Sequence, residues 1–135
     1  MKEINTSICI LIFIFINSLC FGQNQKENLN IIGCWQTVKY SNAKEEVIYP
    51  KEVKMIYKFY CDGSYEMIIS NSNTNQKKEQ KGTYKFTKNS ITLITNGGDP
   101  ITDNIAFIDS FNIKWNVVLE NEKGTFQLKR ILCQD

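Results

Sequence analysis

Apolar and polar residues alternate through most of the chain beyond residue 30, in short runs broken by Gly, Asn and Asp. A period of two is the signature of a strand with one buried face. Residues 53–60 place Val53, Met55, Tyr57 and Phe59 on one side. The next run, 64–69, follows Cys61-Asp62-Gly63. A two-residue Asp-Gly turn would set Ser64 and Glu66 inside, beside Phe59. A three-residue loop with Gly63 left-handed instead pairs Phe59 with Tyr65 and Tyr57 with Met67. That register buries apolar side chains and leaves Glu66 in water, so it is the predicted one.

The same parity continues along the chain. Tyr84 and Phe86 share a face in 81–87, Ile105 and Phe107 in 102–108, and Phe126, Leu128 and Arg130 in 124–131. Ile113, Trp115, Val117 and Leu119 do so in 112–119. With 31–40 in front and 90–95 in the middle, the pattern predicts eight strands and no helix. The polar stretch 71–80 reads as a long hairpin tip with ragged strand at its end. Connections at 41–52, 71–80, 96–101 and 120–123 are longer or more polar than the turns near 62, 88 and 109. Alternate turns of an antiparallel meander lie at the same end, so one end is expected to be open and loop-rich and the other tight. Eight half-buried strands avoid exposed edges by closing. The predicted fold is all-β, an eight-stranded antiparallel up-and-down β-barrel.

The first 22 residues follow a different pattern. Lys2 precedes an unbroken apolar run at 8–16, Asn17 and Ser18 end it, and Cys20-Phe21-Gly22 sets small residues at the −3 and −1 positions of a cut before Gln23. This is signal-peptide anatomy. It divides the chain into a signal peptide (1–22), a short polar tether (23–30) and a barrel domain (31–135). The apolar run is shorter than the roughly 20 residues of a membrane span, so the mature chain is expected to hold no integral span. The expected location is periplasmic or extracellular. The alternative is a lipoprotein anchored through Cys20, although Leu19 is larger than the residue a lipobox prefers before its cysteine.

Composition narrows the chemistry. A net charge of +2 is too mild to argue for nucleic acid. The chain contains no histidine, which removes His-based triads, bases and metal sites. Asn96-Gly97-Gly98-Asp99-Pro100 has no following helix and no Gly-Lys-Ser/Thr ending, so it reads as a turn rather than a phosphate cradle. Asp99, Asp103 and Asp109 lack calcium-loop spacing, and no carboxylate pair is arranged for acid–base work. Lys77, Lys78 and Lys81 read as a solvated hairpin, with steering of an anionic head group as the functional alternative. No enzyme activity, cofactor or metal is expected, and the oligomeric state is not specified.

Three features together resemble small bacterial lipocalin-like proteins of the calycin type. Gly33-Cys34-Trp35 has the form Gly-x-Trp on the first strand, Arg130 lies on the last, and Asp62-Gly63 and Gly82-Thr83-Tyr84 punctuate the strands between. The resemblance spans essentially the whole chain after the signal peptide. It implies that Trp35 plugs the closed end of the barrel and that Arg130 packs across its indole, with Gly33 completing the motif. A guanidinium stacked on a partly buried indole contributes about 1–2 kcal/mol.

Within such a barrel, Trp35 inward makes Cys34 outward, and Arg130 inward makes Cys133 outward. The first and last strands are neighbours, so a Cys34–Cys133 disulfide is expected, with Cys61 left free; three reduced cysteines are the alternative. The interior would carry many aromatic rings, which either fill it or line a cup. If a cup exists, Met55, Tyr57, Met67, Ile69, Trp115 and Val117 are its candidate ligand-binding residues, with Trp115 at middle depth and the Tyr57 hydroxyl available to a polar ligand group. The function expected from this reading is non-covalent binding of a small, largely apolar ligand inside an exported barrel. The alternative is a filled barrel that works through its outer surface as a protein-interaction or inhibitor module of the cell envelope.

Overall fold

The computed structural model describes residues 31–134, so the segments read as signal peptide and tether lie outside the described residues. Strands dominate: β1 Gly33–Asn42, β2 Glu46–Ile48, β3 Val53–Phe59, β4 Ser64–Asn71, β5 Gln76–Thr87, β6 Ser90–Thr95, β7 Ile101–Asp109, β8 Asn112–Leu119 and β9 Glu122–Ile131. Every adjacent pair is antiparallel, and β1 also pairs with β9, which closes the sheet. Eight long strands make the barrel wall. The ninth, β2, is a three-residue piece paired to the upper half of β1 through Lys39↔Ile48, Tyr40↔Val47 and Ser41↔Glu46.

The hairpin between β3 and β4 takes the register that apolar burial demands: Phe59 faces Tyr65, Tyr57 faces Met67 and Met55 faces Ile69. Gly63 has φ +87°, a conformation that costs glycine nothing. The Asp62 carboxylate accepts from the Ser64 amide (2.8 Å) and hydroxyl (2.6 Å), and these bonds hold its pKa below the ordinary carboxylate range.

Three features depart from the alternation pattern. Residues 76–80, expected within a hairpin tip, are strand, and β4 extends to Asn71, which faces Gln76. Both strands need only backbone pairing here, so polar side chains suffice and no apolar period survives to be read. The tip itself is 72–75. The stretch 41–52, expected as a loop, contains β2. The loop contrast between the ends is also weaker than expected, because the β8–β9 connection is only Glu120 and Asn121, both with positive φ, as in a tight hairpin turn.

A bulge in β1 was not legible either. The β1–β9 register shifts between Thr37 and Lys39. Trp35 and Thr37 point inward below the shift and Tyr40 above it, where its ring meets Phe126 at 5.1 Å. The extra residue tightens the local twist. The seam between β1 and β3 is short, from Gly33↔Phe59 to Gln36↔Ile56, and above it β1 turns to β2 instead.

The core runs up the inside of the barrel. Trp35, Phe59, Tyr65, Ile91, Ile113, Trp115 and Leu128 are all essentially inaccessible. Edge-on and tilted ring contacts link them: Phe59 to Tyr84 at 5.0 Å, Trp35 to Phe107 at 6.1 Å and Phe107 to Phe86 at 6.1 Å. Such pairs add about 0.5–1.5 kcal/mol each beyond area burial.

Candidate functional site

The tight end is a plug. The Trp35 indole N–H donates to the Ile31 carbonyl at 2.8 Å, and the Arg130 guanidinium carbon lies 4.3 Å from the Trp35 ring centroid. Arg130 also donates through Nη1 to the Ile32 carbonyl (2.8 Å) and through Nε to the Ser110 carbonyl (3.0 Å). One side chain thus ties the segment entering β1 to the β7–β8 turn. Burial lowers the Arg130 pKa, and the charge is retained because an arginine starts so far above neutrality. Gly33, with φ +125°, leaves the space that Nη1 occupies; a Cβ there would sit 3.1 Å from it.

Cys34 and Cys133 form the expected disulfide, with Cα atoms 5.3 Å apart. Cys61 does not remain a free thiol; it too is disulfide-bonded. No group of His, Cys, Asp or Glu among the described residues is arranged to hold a metal ion.

The open end is different in kind. Met55, Met67 and Leu93 are half-buried and pack onto the top of the core. Below them Tyr57 is 6% exposed and Trp115 2%, their ring centroids 4.8 Å apart across the barrel. The Trp115 indole N–H donates to Asp103 Oδ2 at 3.0 Å. Tyr57, Trp115 and Asp103 therefore form one continuous floor from β3 through β8 to β7. Among the described residues nothing hydrogen-bonds the Tyr57 hydroxyl, and Asp103 has no ion-pair partner. Burial pushes the Tyr57 phenol well above its ordinary value, with the nearby Tyr65, Tyr49 and Asp103 adding to the rise. Burial also raises the Asp103 carboxyl, and the Trp115 hydrogen bond opposes it.

A second polar group lies in the wall above Tyr65. Gln80 Nε2 donates to the Tyr65 hydroxyl (2.9 Å) and to Thr95 Oγ1 (2.7 Å), which are themselves 3.1 Å apart. This group is closed on itself. Its counterpart is Thr37 Oγ1, buried with no partner among the described residues.

Open pockets flank the mouth, and two of them are bordered by ligand candidates. One, of about 610 Å³, is lined by Asn42, Asp103, Val117 and Gly124 along with residues of the outer rim. The other, of about 310 Å³, is lined by Val53, Ile69, Asn71 and Lys78 among others. The six ligand candidates are thus distributed. Val117 lines the first pocket and Ile69 the second, whereas Met55, Tyr57, Met67 and Trp115 line neither of these and form the layer beneath the mouth. Of the lysines near the open end, Lys77 pairs with Glu79 at 2.8 Å and Lys81 with Glu66 at 3.4 Å, so neither is an uncommitted anion receptor. Asp103 was not singled out as a ligand group by sequence. Its signal was its parity: it shares the inward face of its strand with Ile105 and Phe107.

Two solved structures share the fold. A lipocalin-like protein from Bacteroides uniformis ATCC 8492 superposes with a TM-score of 0.59 at 14% identity, covering 76% of this chain and 99% of that one. The fold is lipocalin-like. An uncharacterized protein from Bacteroides eggerthii DSM 20697 gives a TM-score of 0.55 at 15% identity, covering 74% of this chain and 98% of its own. No protein-family model matches the chain, and no curated protein is similar to it in sequence. The lipocalin-like barrel is therefore identified by its geometry, at identities where sequence carries little of the likeness. Among the described residues no helix is long and apolar enough to cross a membrane.

Proposed function

We propose that this lipocalin-like barrel is exported and binds a small, largely apolar ligand non-covalently at its open end, without catalysis. The observation that carries this reading is the unfinished layer at the mouth: half-buried Met55, Met67 and Leu93 above a Tyr57–Trp115 floor whose hydroxyl has no partner among the described residues. Displacing water from these apolar side chains would drive binding, and the few polar groups would orient the ligand. The cup is shallow, because everything below Trp115 is packed. Export is supported by the signal-peptide pattern of 1–22 and is compatible with the Cys34–Cys133 disulfide, which persists in an oxidising compartment.

The second reading, a filled barrel working through its outer surface at the cell envelope, is favoured by the complete burial of Trp35, Phe59, Tyr65, Ile113 and Leu128. Native mass spectrometry of the protein purified gently from its exporting host separates the two. A small adduct lost on denaturation supports the cup. A bare mass, with no uptake of added apolar probes, supports the filled barrel.

A further inference from the structure

The polar end of the ligand follows from the charge inside the mouth, an inference that rests on the cup reading above. Asp103 projects from β7 into the larger pocket, with Val117 and Asn42 lining the same space. A carboxylate offers about four acceptor positions, and Trp115 fills one of them. By contrast, the Glu122 carboxylate at the start of β9 is already bound by Lys44 and Asn42. Among the described residues no cation pairs with Asp103, so a half-buried carboxylate stands beside two aromatic rings without a countercharge there. Tyr57 adds a hydroxyl able to accept one further hydrogen bond, in a side chain that is otherwise buried.

We propose that the mouth recognises an organic ammonium group carried on an apolar body, with its N–H donors on Asp103 and Tyr57 and its charge beside the Tyr57 and Trp115 rings. Each component suits that group and disfavours its alternatives. The carboxylate repels a fatty-acid head. An alcohol can donate to Asp103 but leaves the charge unbalanced. An ammonium ion gains a charge-assisted hydrogen bond and the attraction of the ring faces together. Met55 and Met67, unbranched and adaptable, suit the apolar body. The lysines of the β4–β5 hairpin that might have argued for an anion are held by Glu66 and Glu79 or, for Lys78, line the opposite pocket.

The test is calorimetric titration of the folded protein at neutral pH with three probes of equal chain length, hexylammonium, hexanol and hexanoate. Hexylammonium is expected to bind at least ~10-fold more tightly than hexanol, with hexanoate weakest. In Asp103→Asn the preference for the amine over the alcohol should fall to near unity, and in Tyr57→Phe it should fall about threefold. Near-ultraviolet circular dichroism of each variant confirms that the core is intact, and the amine-to-alcohol ratio is read within one variant, so a general loss of affinity does not mimic the result. Equal binding of amine, alcohol and acid by the parent protein would overturn the ammonium inference and leave the cup standing. Uptake of none of the three would overturn both.

Discussion

The two ends of the barrel are built from the same kinds of side chain and reach opposite outcomes. At the tight end, the Trp35 N–H, the Arg130 guanidinium and the Tyr84 hydroxyl each find a backbone carbonyl within 3.0 Å. The Tyr84 phenol is raised to about 12 by burial, and its hydroxyl is fully used in holding the turn at Tyr60. At the open end, Tyr57 is equally buried and finds no hydrogen-bond partner among the described residues, and Asp103 holds one donor there where it has room for several. A structural end satisfies its polar groups internally; a receptive end leaves them for something that arrives.

Four perturbations break or sharpen this contrast, in decreasing order of effect. The disulfide bridges a sequence separation of 99 residues at the tight end. Cys34→Ser with Cys133→Ser is expected to cost on the order of 4–5 kcal/mol in urea unfolding, by the chain-entropy account. A loss below about 1 kcal/mol would show that the strand seam alone holds the ends together. Next, Phe59→Ala should cost about 3–5 kcal/mol as a cavity in the packed half, while Met67→Ala at the mouth should cost only about 1–2 kcal/mol and weaken ligand uptake instead. Equal costs would mean that the mouth is as solidly packed as the plug.

Thr37→Val comes third. Its hydroxyl is buried without a partner among the described residues, so replacing it by a methyl should raise stability by about 1 kcal/mol, measured as a shift of the urea midpoint with the slope unchanged. A destabilised variant would reveal a hydrogen-bond partner for Thr37.

Asp103→Asn has the smallest expected effect on stability. Burial raises the Asp103 carboxyl above its unfolded value, so the folded protein binds this proton more tightly than the unfolded chain does. Its contribution is greatest below the ordinary carboxylate pKa and is lost as pH rises through the raised folded value. The asparagine variant lacks this decline, so its stability relative to the parent should improve from acidic to neutral pH. A difference independent of pH would mean that Asp103 is as well solvated folded as unfolded.

How much of this was visible in the sequence depended on whether a residue needed an apolar neighbour. The Phe59–Tyr65 register was legible because the wrong register buries Glu66. The barrel itself was legible because eight amphipathic runs leave few other solutions. The Cys34–Cys133 pair followed from parity once β1 and β9 were taken as neighbours. Residues 76–80 and β2 were not legible, since strands held by backbone pairing alone leave no period. The bulge at Val38 was hidden because it reverses parity within a run that looks regular on both sides. The candidate site was half legible: alternation placed Tyr57, Met67 and Trp115 inside. It gave Asp103 an inward parity but not its importance, which lies in which rings and donors stand across the barrel from it.

The seam between β1 and β9 has one more consequence. Cys34 and Cys133 bring the two limits of the barrel within 5.3 Å of each other, so the order in which the strands are numbered is arbitrary with respect to the wall they build. A circular permutant that joins these limits by a short linker and opens the chain at the 72–75 tip preserves every strand pair, because that tip contributes no rung to the ladder. The lipocalin-like barrel is in this sense a closed loop of strands cut at the plug, where a covalent bond joins the two sides of the cut.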